Sequence, residues 1–213
     1  MRPPESWKSA RVTLVIAAVT AAAWLIVSAL DVQEYAVMWG AFIPARITGL
    51  ESDQALAPFW LTPLTATLVH GGIAHLGFNL LIHLFCGRAV ETIIGGRGLI
   101  ILYVVGAYAA AAGHYFTHPL QLAPMIGASG AISAVIGAYA MLFGRNRVRI
   151  ANPTLALWAN ALWLAAAWVL LQLLIGFTFE TAGFPLAIAA HIGGFFVGIL
   201  LAKPLLLLRY RNA

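Results

Sequence analysis

The stretch RVTLVIAAVTAAAWLIVSAL, residues 11–30, has no charged residue after Arg11. An α-helix needs about 20 such residues to cross a hydrocarbon core of about 30 Å. A short basic leader precedes the stretch, but the apolar run is too long for a signal peptide, and no convincing cleavage site lies before Asp31. We therefore expect a retained membrane-spanning helix.

The rest of the chain has the composition of a membrane protein. Of its 213 residues, 62% are hydrophobic and 9% are charged, and the mean hydropathy is +0.91. A water-soluble globule could not bury this much apolar surface, and the sequence lacks the alternating segments of an outer-membrane barrel. The predicted fold class is all-α, a six-helix transmembrane bundle with spans near 11–30, 71–90, 97–117, 128–144, 157–178 and 184–206.

The positions of Lys and Arg predict how the bundle is oriented. The net charge of +5 comes from short Lys and Arg clusters beside apolar runs. This pattern is typical of residues that orient membrane spans and not of a nucleic-acid-binding surface. With a cytoplasmic N-terminus, clusters at 2–11, 88–97, 145–149 and 203–211 all fall on the cytoplasmic side and only Arg46 lies outside. We expect a cytoplasmic N-terminus at 1–10, a membrane domain over 11–208 with an external loop at 31–65, and a cytoplasmic tail at 209–213. The absence of a soluble domain and the single cysteine favour a bacterial inner membrane.

Three reactive residues are predicted to lie at one depth. Polar groups inside membrane spans are costly, so each is by default a functional hypothesis. His75 and His191 lie about five and seven residues into spans that enter from the outside, and Ser129 begins another such span. At about 1.5 Å per residue, these side chains share a layer roughly 7–11 Å below the external boundary.

Stripes of small residues favour a close pairing of Ser129 with His191. Small faces let two membrane helices approach closely, so the imidazole of His191 can act as general base for the Ser129 hydroxyl. The small stripes comprise Ser129, Ser133 and Gly137 on one span and Ala187, His191, Gly194 and Gly198 on the other.

An oxyanion hole is predicted beside this pair. His75 and Asn79 share one helix face, and their side chains, with the backbone N–H of Ser129, can stabilise the developing oxyanion. His70 is expected at the outer rim of the hole. No acidic residue lies at this depth, so we predict a Ser–His dyad that uses no metal and no cofactor.

These residues form three motifs that resemble the signature of the rhomboid intramembrane serine proteases, in the rhomboid order. The resemblance implies that a transmembrane or juxtamembrane segment of a membrane protein is cleaved through an acyl-enzyme. It also implies that the substrate enters sideways near the fifth span, where Phe177 and Phe179 are candidate gate residues. The motifs are His70-x4-His75-x3-Asn79, Gly127-Ala128-Ser129-Gly130 and Ala190-His191-x2-Gly194-x3-Gly198. Two further similar segments are Gly87-Arg88-Ala89-Val90-Glu91 and Trp39-Gly40-x2-Ile43-Pro44-Ala45.

The chain departs from some family members at two places. Ser133 stands where these members carry an aromatic residue that packs on the catalytic imidazole, and the first loop lacks their Trp-Arg pair. Neither departure removes a reacting group. The first departure concerns how the catalytic imidazole is positioned, and the second concerns the structure of the first loop.

Other functions are compatible with parts of the pattern. The first alternative is an inactive rhomboid-like protein that binds membrane clients, although such proteins usually lose the Ser or the His. The second is a small transporter with a histidine proton relay, which predicts polar groups through the whole membrane depth.

His114 and His118 have metal-ligand spacing but no evident third ligand, so an exposed helix end is favoured over a zinc site. The expected partners are transmembrane substrates and the lipid bilayer, and the sequence does not indicate an oligomeric state.

Overall fold

A computed structural model of the protein describes residues 7, 10–49, 56–144, 152–181 and 187–211. Within these residues the regular secondary structure is helical, and β pairing is limited to an isolated bridge between Phe42 and Met125. The predicted all-α membrane bundle is confirmed. The helices are α1 (Arg11–Ala29), α2 (Gln33–Gly40), α3 (Thr62–Thr65), α4 (Ile73–Ile82), α5 (Arg88–Thr117), α6 (Ser129–Phe143), α7 (Pro153–Thr181) and α8 (Ile188–Arg209).

Four helical stretches in the described residues are long and apolar enough to cross a membrane. They are Arg11–Ala29, Ile73–Thr117, Pro153–Leu174 and Ile188–Arg209. The second has 45 residues and contains two predicted spans, 71–90 and 97–117. A π-helical turn, His83–Gly87, joins α4 to α5, and the backbone leaves the helical region at Gly95, with φ 78° and ψ 164°. A residue without a Cβ adopts this positive φ without strain, so Gly95 separates the two spans.

Helix α6 is too short to span a bilayer by itself, with 15 residues. Its start is fixed by loop contacts rather than by the edge of an apolar run. Phe42 and Met125 exchange backbone hydrogen bonds, and the N–H of Gly127 donates to the carbonyl of Ala66 at 2.9 Å. These bonds hold the chain in a non-helical path until Ser129, which becomes the first residue of the helix.

Helices α5, α6 and α8 form the centre of the bundle, and α6 and α8 meet along their small faces. A Cβ added at Gly194 would overlap the carbonyl oxygen of Gly130, and one added at Gly198 would overlap that of Ala134. A side chain at either glycine would therefore push the two helices apart. The predicted basic cluster at 145–149, and residues 1–6, 8–9 and 212–213 of the predicted termini, lie outside the described residues.

The carboxylate of Glu91 connects α5 to the beginning of α1. It is 3% exposed and accepts hydrogen bonds from the backbone N–H of Val12 at 3.0 Å and of Thr13 at 2.8 Å, and from the Thr13 hydroxyl at 2.7 Å. The first N–H groups of a helix have no partner within the helix, and they favour a negative charge. Glu91 therefore caps α1 from the neighbouring helix.

We predict that Glu91→Gln lowers the free energy of unfolding by about 1.5–3 kcal/mol, because it weakens charge-assisted hydrogen bonds to a buried helix end. Denaturant titration in detergent micelles measures this change. The matched control is Glu34→Gln, since Glu34 is exposed at the start of α2, and we expect a change within about 0.5 kcal/mol. Equal effects of the two substitutions would contradict this role for Glu91.

Candidate active site

The structure brings Ser129 and His191 into direct contact. Nε2 of His191 lies 2.8 Å from Oγ of Ser129, although the two residues are 62 positions apart in the sequence. Ser129 is the first residue of α6 and His191 lies in the first turn of α8. When the hydroxyl donates to Nε2, the neutral ring carries its proton on Nδ1. This is the arrangement of a serine nucleophile with an adjacent general base.

Within the described residues, the ring of His191 has Ser129 as its hydrogen-bond partner, through Nε2, and no carboxylate bonds to it. Among these residues, the ring is held by that bond and by the packing of its helix.

The ring of His75 lies against the loop that leads into Ser129. A Cβ added at Gly127 would lie 2.6 Å from both Cε1 and Nε2 of His75, and Gly127 has φ 103°. Nδ1 of His75 accepts a long hydrogen bond of 3.5 Å from the N–H of Gly71. This bond leaves Nε2 to carry the proton of a neutral ring, so a hydrogen-bond donor lies beside the start of α6.

Asn79 lies one helical turn after His75 and is 5% exposed. Its Nδ2 donates to the carbonyl of His75 at 2.8 Å, which uses one of the two amide hydrogens. Asn79 and Ala128 line the same small cavity. The structure therefore brings the predicted oxyanion residues to the segment that contains Ser129.

A sequence profile of the rhomboid domain matches residues 58–208 of the chain. The chain belongs to the rhomboid family. It is 29% identical over 147 residues to rhomboid protease GluP of Bacillus subtilis, covering 68% of this chain and 27% of that protein. It is 29% identical over 145 residues to rhomboid protease GlpG of an Enterobacter species, covering 65% and 46% respectively.

A further relative is rhomboid protease GlpG of Pectobacterium atrosepticum, at 28% identity over 203 residues, which cover 92% of this chain and 63% of that protein. The chain thus spans between about a quarter and somewhat under two thirds of the length of these relatives. The rhomboid resemblance of the motifs is confirmed at the level of the family.

His70, the first residue of the rhomboid motif, lies beneath the loop and not at an outer rim. The side chain is 1% exposed, and its Nε2 accepts a hydrogen bond of 3.4 Å from the N–H of Ala128. The rings of His70 and His75 meet edge to face at 5.0 Å. His70 precedes α4, and burial, followed by the neighbouring His75, lowers its pKa to about 4. A neutral His70 therefore supports the loop from below.

Ser133, where some rhomboid members have an aromatic residue, does not contact the imidazole through its hydroxyl. Its Oγ donates to the carbonyl of Ser129 at 2.8 Å, which is the back-bonding expected of a serine inside a helix. The side chain is 3% exposed, and a Cβ at Gly194 would lie 3.3 Å from the Cβ of Ser133. Ser133 therefore lies at the close contact between α6 and α8.

Trp168 of α7 belongs to no motif of the sequence, yet it lies beside His191. Its indole N–H donates to the carbonyl of His191 at 3.4 Å. A tryptophan in an apolar helix carries no sequence signal for such a contact, and Trp158 and Trp163 on the same helix are more than half exposed. The candidate gate residues Phe177 and Phe179 have side chains outside the described part of the structure.

The three histidines that have no role in the predicted site are His83, His114 and His118. His114 is buried, at 6% exposed, so an exposed helix end is wrong for His114, although His118 is exposed. In the described ranges no three potential metal ligands come together. His83 is buried, and its Nε2 lies 3.2 Å from the carbonyl of Thr13.

We predict that Gly127→Ala destabilises the protein by about 1–2 kcal/mol from the positive φ alone, and that it displaces the His75 ring. The free energy of unfolding in micelles and the rate of fluorophosphonate labelling of Ser129 measure the two effects. Gly77→Ala is the control, because Gly77 has helical backbone and open space around its Cα. We expect Gly77→Ala to leave the labelling rate unchanged. A normal labelling rate for Gly127→Ala would contradict the proposed contact with His75.

Proposed function

We propose that the protein is an intramembrane serine endopeptidase that cleaves transmembrane or juxtamembrane segments of membrane proteins through an acyl-enzyme. The observation that carries this proposal is the 2.8 Å distance between Oγ of Ser129 and Nε2 of His191. The family supports it, because the relatives GluP and GlpG are named rhomboid proteases.

In the proposed mechanism Ser129 and His191 exchange one proton. Oγ of Ser129 attacks the carbonyl carbon of the scissile peptide while Nε2 of His191 takes the hydroxyl proton. The imidazolium then protonates the leaving amine, and the substrate's acyl group remains on Ser129. A water molecule, deprotonated by the same nitrogen, hydrolyses the ester and regenerates the hydroxyl.

Three donors are assigned to the oxyanion. The backbone N–H of Ser129 lies at the start of α6, where an N–H has no partner within the helix. Nε2 of His75 and the second amide hydrogen of Asn79 supply the other two. Such donors contribute most where water is excluded, which fits the burial of Asn79.

The proposed substrates are membrane proteins, because His191 lies on α8, which is long and apolar enough to cross a membrane. The Lys and Arg distribution supports cytoplasmic termini and a site that opens to the external face, and we place the protein in a bacterial inner membrane. Supporting roles fall to His70 and to the glycines Gly127, Gly130, Gly194 and Gly198. An inactive, client-binding role has less support, because both reacting groups are retained within hydrogen-bond distance of each other.

We predict that Ser129→Ala abolishes cleavage of a model transmembrane substrate in liposomes and abolishes fluorophosphonate labelling, because it removes the nucleophile. Gel analysis and mass spectrometry of the products measure cleavage and locate the cut. The matched control is Ser133→Ala, which removes a hydroxyl one helical turn away, and we expect it to retain cleavage and labelling. Equal cleavage by the wild type and Ser129→Ala would refute the assignment of Ser129 and favour the client-binding role.

We predict that Asn79→Ala lowers kcat by about a hundredfold, because an oxyanion donor acts mainly in the transition state, while KM changes little. Steady-state kinetics with the transmembrane substrate measure both constants. A large rise in KM at unchanged kcat would show that Asn79 binds substrate and does not stabilise the oxyanion.

A further inference from the structure

The helical turn that carries His191 needs support from outside its own helix. His191 lies four residues from the start of α8, and its N–H bonds to Ala187, the residue just before the helix. Helix ends fray more readily than helix centres. The ring has neither a carboxylate partner in the described residues nor an aromatic residue at position 133 to pack on it.

Trp168 of α7 contacts both ends of this turn. Its indole N–H donates to the carbonyl of His191 at 3.4 Å, which is longer than the usual distance of about 2.7–3.2 Å for such a bond. The same indole stacks on the ring of Phe195, one helical turn further along α8, with centroids 4.8 Å apart and planes 8° apart. The Trp168 indole therefore bonds to the backbone of His191, the proposed general base, and packs on Phe195 four positions later.

The packing of α7 directs Trp168 toward α8. In the described residues α7 packs chiefly against α8, and Trp168 adjoins the cluster formed by Ala161, Ala165, Phe195 and Ile199. The alanines let the two helices approach closely, and Trp168 packs against the same cluster together with Leu164. In contrast, Trp163 is 53% exposed, so its indole lies on the outer surface of the same helix.

We propose that Trp168 is a positioning residue for the dyad, holding the first turn of α8 so that the His191 ring stays in register with Ser129. The proposal rests on the proposed function and adds a residue to it. The position of α7 is thereby linked to the geometry of the general base. A small shift of a catalytic group lowers the rate steeply, so the contact acts on turnover more than on substrate binding.

The test compares Trp168→Phe with Trp163→Phe in the full-length protein. Phe keeps a ring that can stack on Phe195 but removes the N–H donor. We expect Trp168→Phe to lower kcat, and the rate constant of fluorophosphonate labelling at Ser129, by about fivefold, as for the loss of one neutral hydrogen bond. KM and the final extent of labelling should stay unchanged. Trp168→Leu, which also loses the stack, should lower both rates further, and Trp163→Phe should match the wild type.

The labelling kinetics separate positioning from folding. A variant that only unfolds in part labels to a lower final extent with an unchanged rate constant, and this result for Trp168→Phe would overturn the proposal. So would equal rate constants for Trp168→Phe and Trp163→Phe. In both cases a wild type that cleaves and is labelled at Ser129 leaves the proposed function intact. If the wild type neither cleaves nor is labelled, the proposed function fails, and the role of Trp168 fails with it.

Discussion

The close approach of the α6 and α8 backbones is the constraint on which the candidate site depends. Gly194 lies against the carbonyl of Gly130, Gly198 against that of Ala134, and Gly137 against that of Phe195. In a membrane, helices associate through such close packing, since lipid chains are as apolar as the side chains they replace. These contacts fix the separation of the two helices along their length, and a 2.8 Å bond at one end of the interface requires that separation.

Position 133 is where this chain departs from rhomboids with an aromatic residue on the imidazole. The serine found there is buried, and its hydroxyl donates to the carbonyl of Ser129. In our proposal the turn that carries His191 is held from the far side of α8, where Trp168 and Phe195 stack.

The loop before Ser129 depends on parts of the chain far from the dyad. The strand-like contact of Phe42 with Met125, the bond from Gly127 to Ala66 and the bond from Ala128 to His70 all hold residues 125–128. Because Ser129 begins its helix where this loop ends, the segment that contains Phe42 and the segment before α4 determine where Ser129 stands. The segment from Trp39 to Ala45 contains Phe42 and carries no reacting group, yet it resembles a rhomboid segment. Its contact with the loop before Ser129 gives a physical reason for that resemblance.

The sequence by itself determined the membrane class and the apolar spans, and it predicted Ser129 and His191 as a pair, because hydropathy and the cost of buried polar groups act on each segment locally. It did not reveal that α6 is only 15 residues long, that His70 lies beneath the loop, or that Glu91 caps α1. Nor did it single out Trp168 among the tryptophans of α7. Each of these features is a contact between distant segments, and only the tertiary packing decides which face of a uniformly apolar helix meets a partner and which meets lipid.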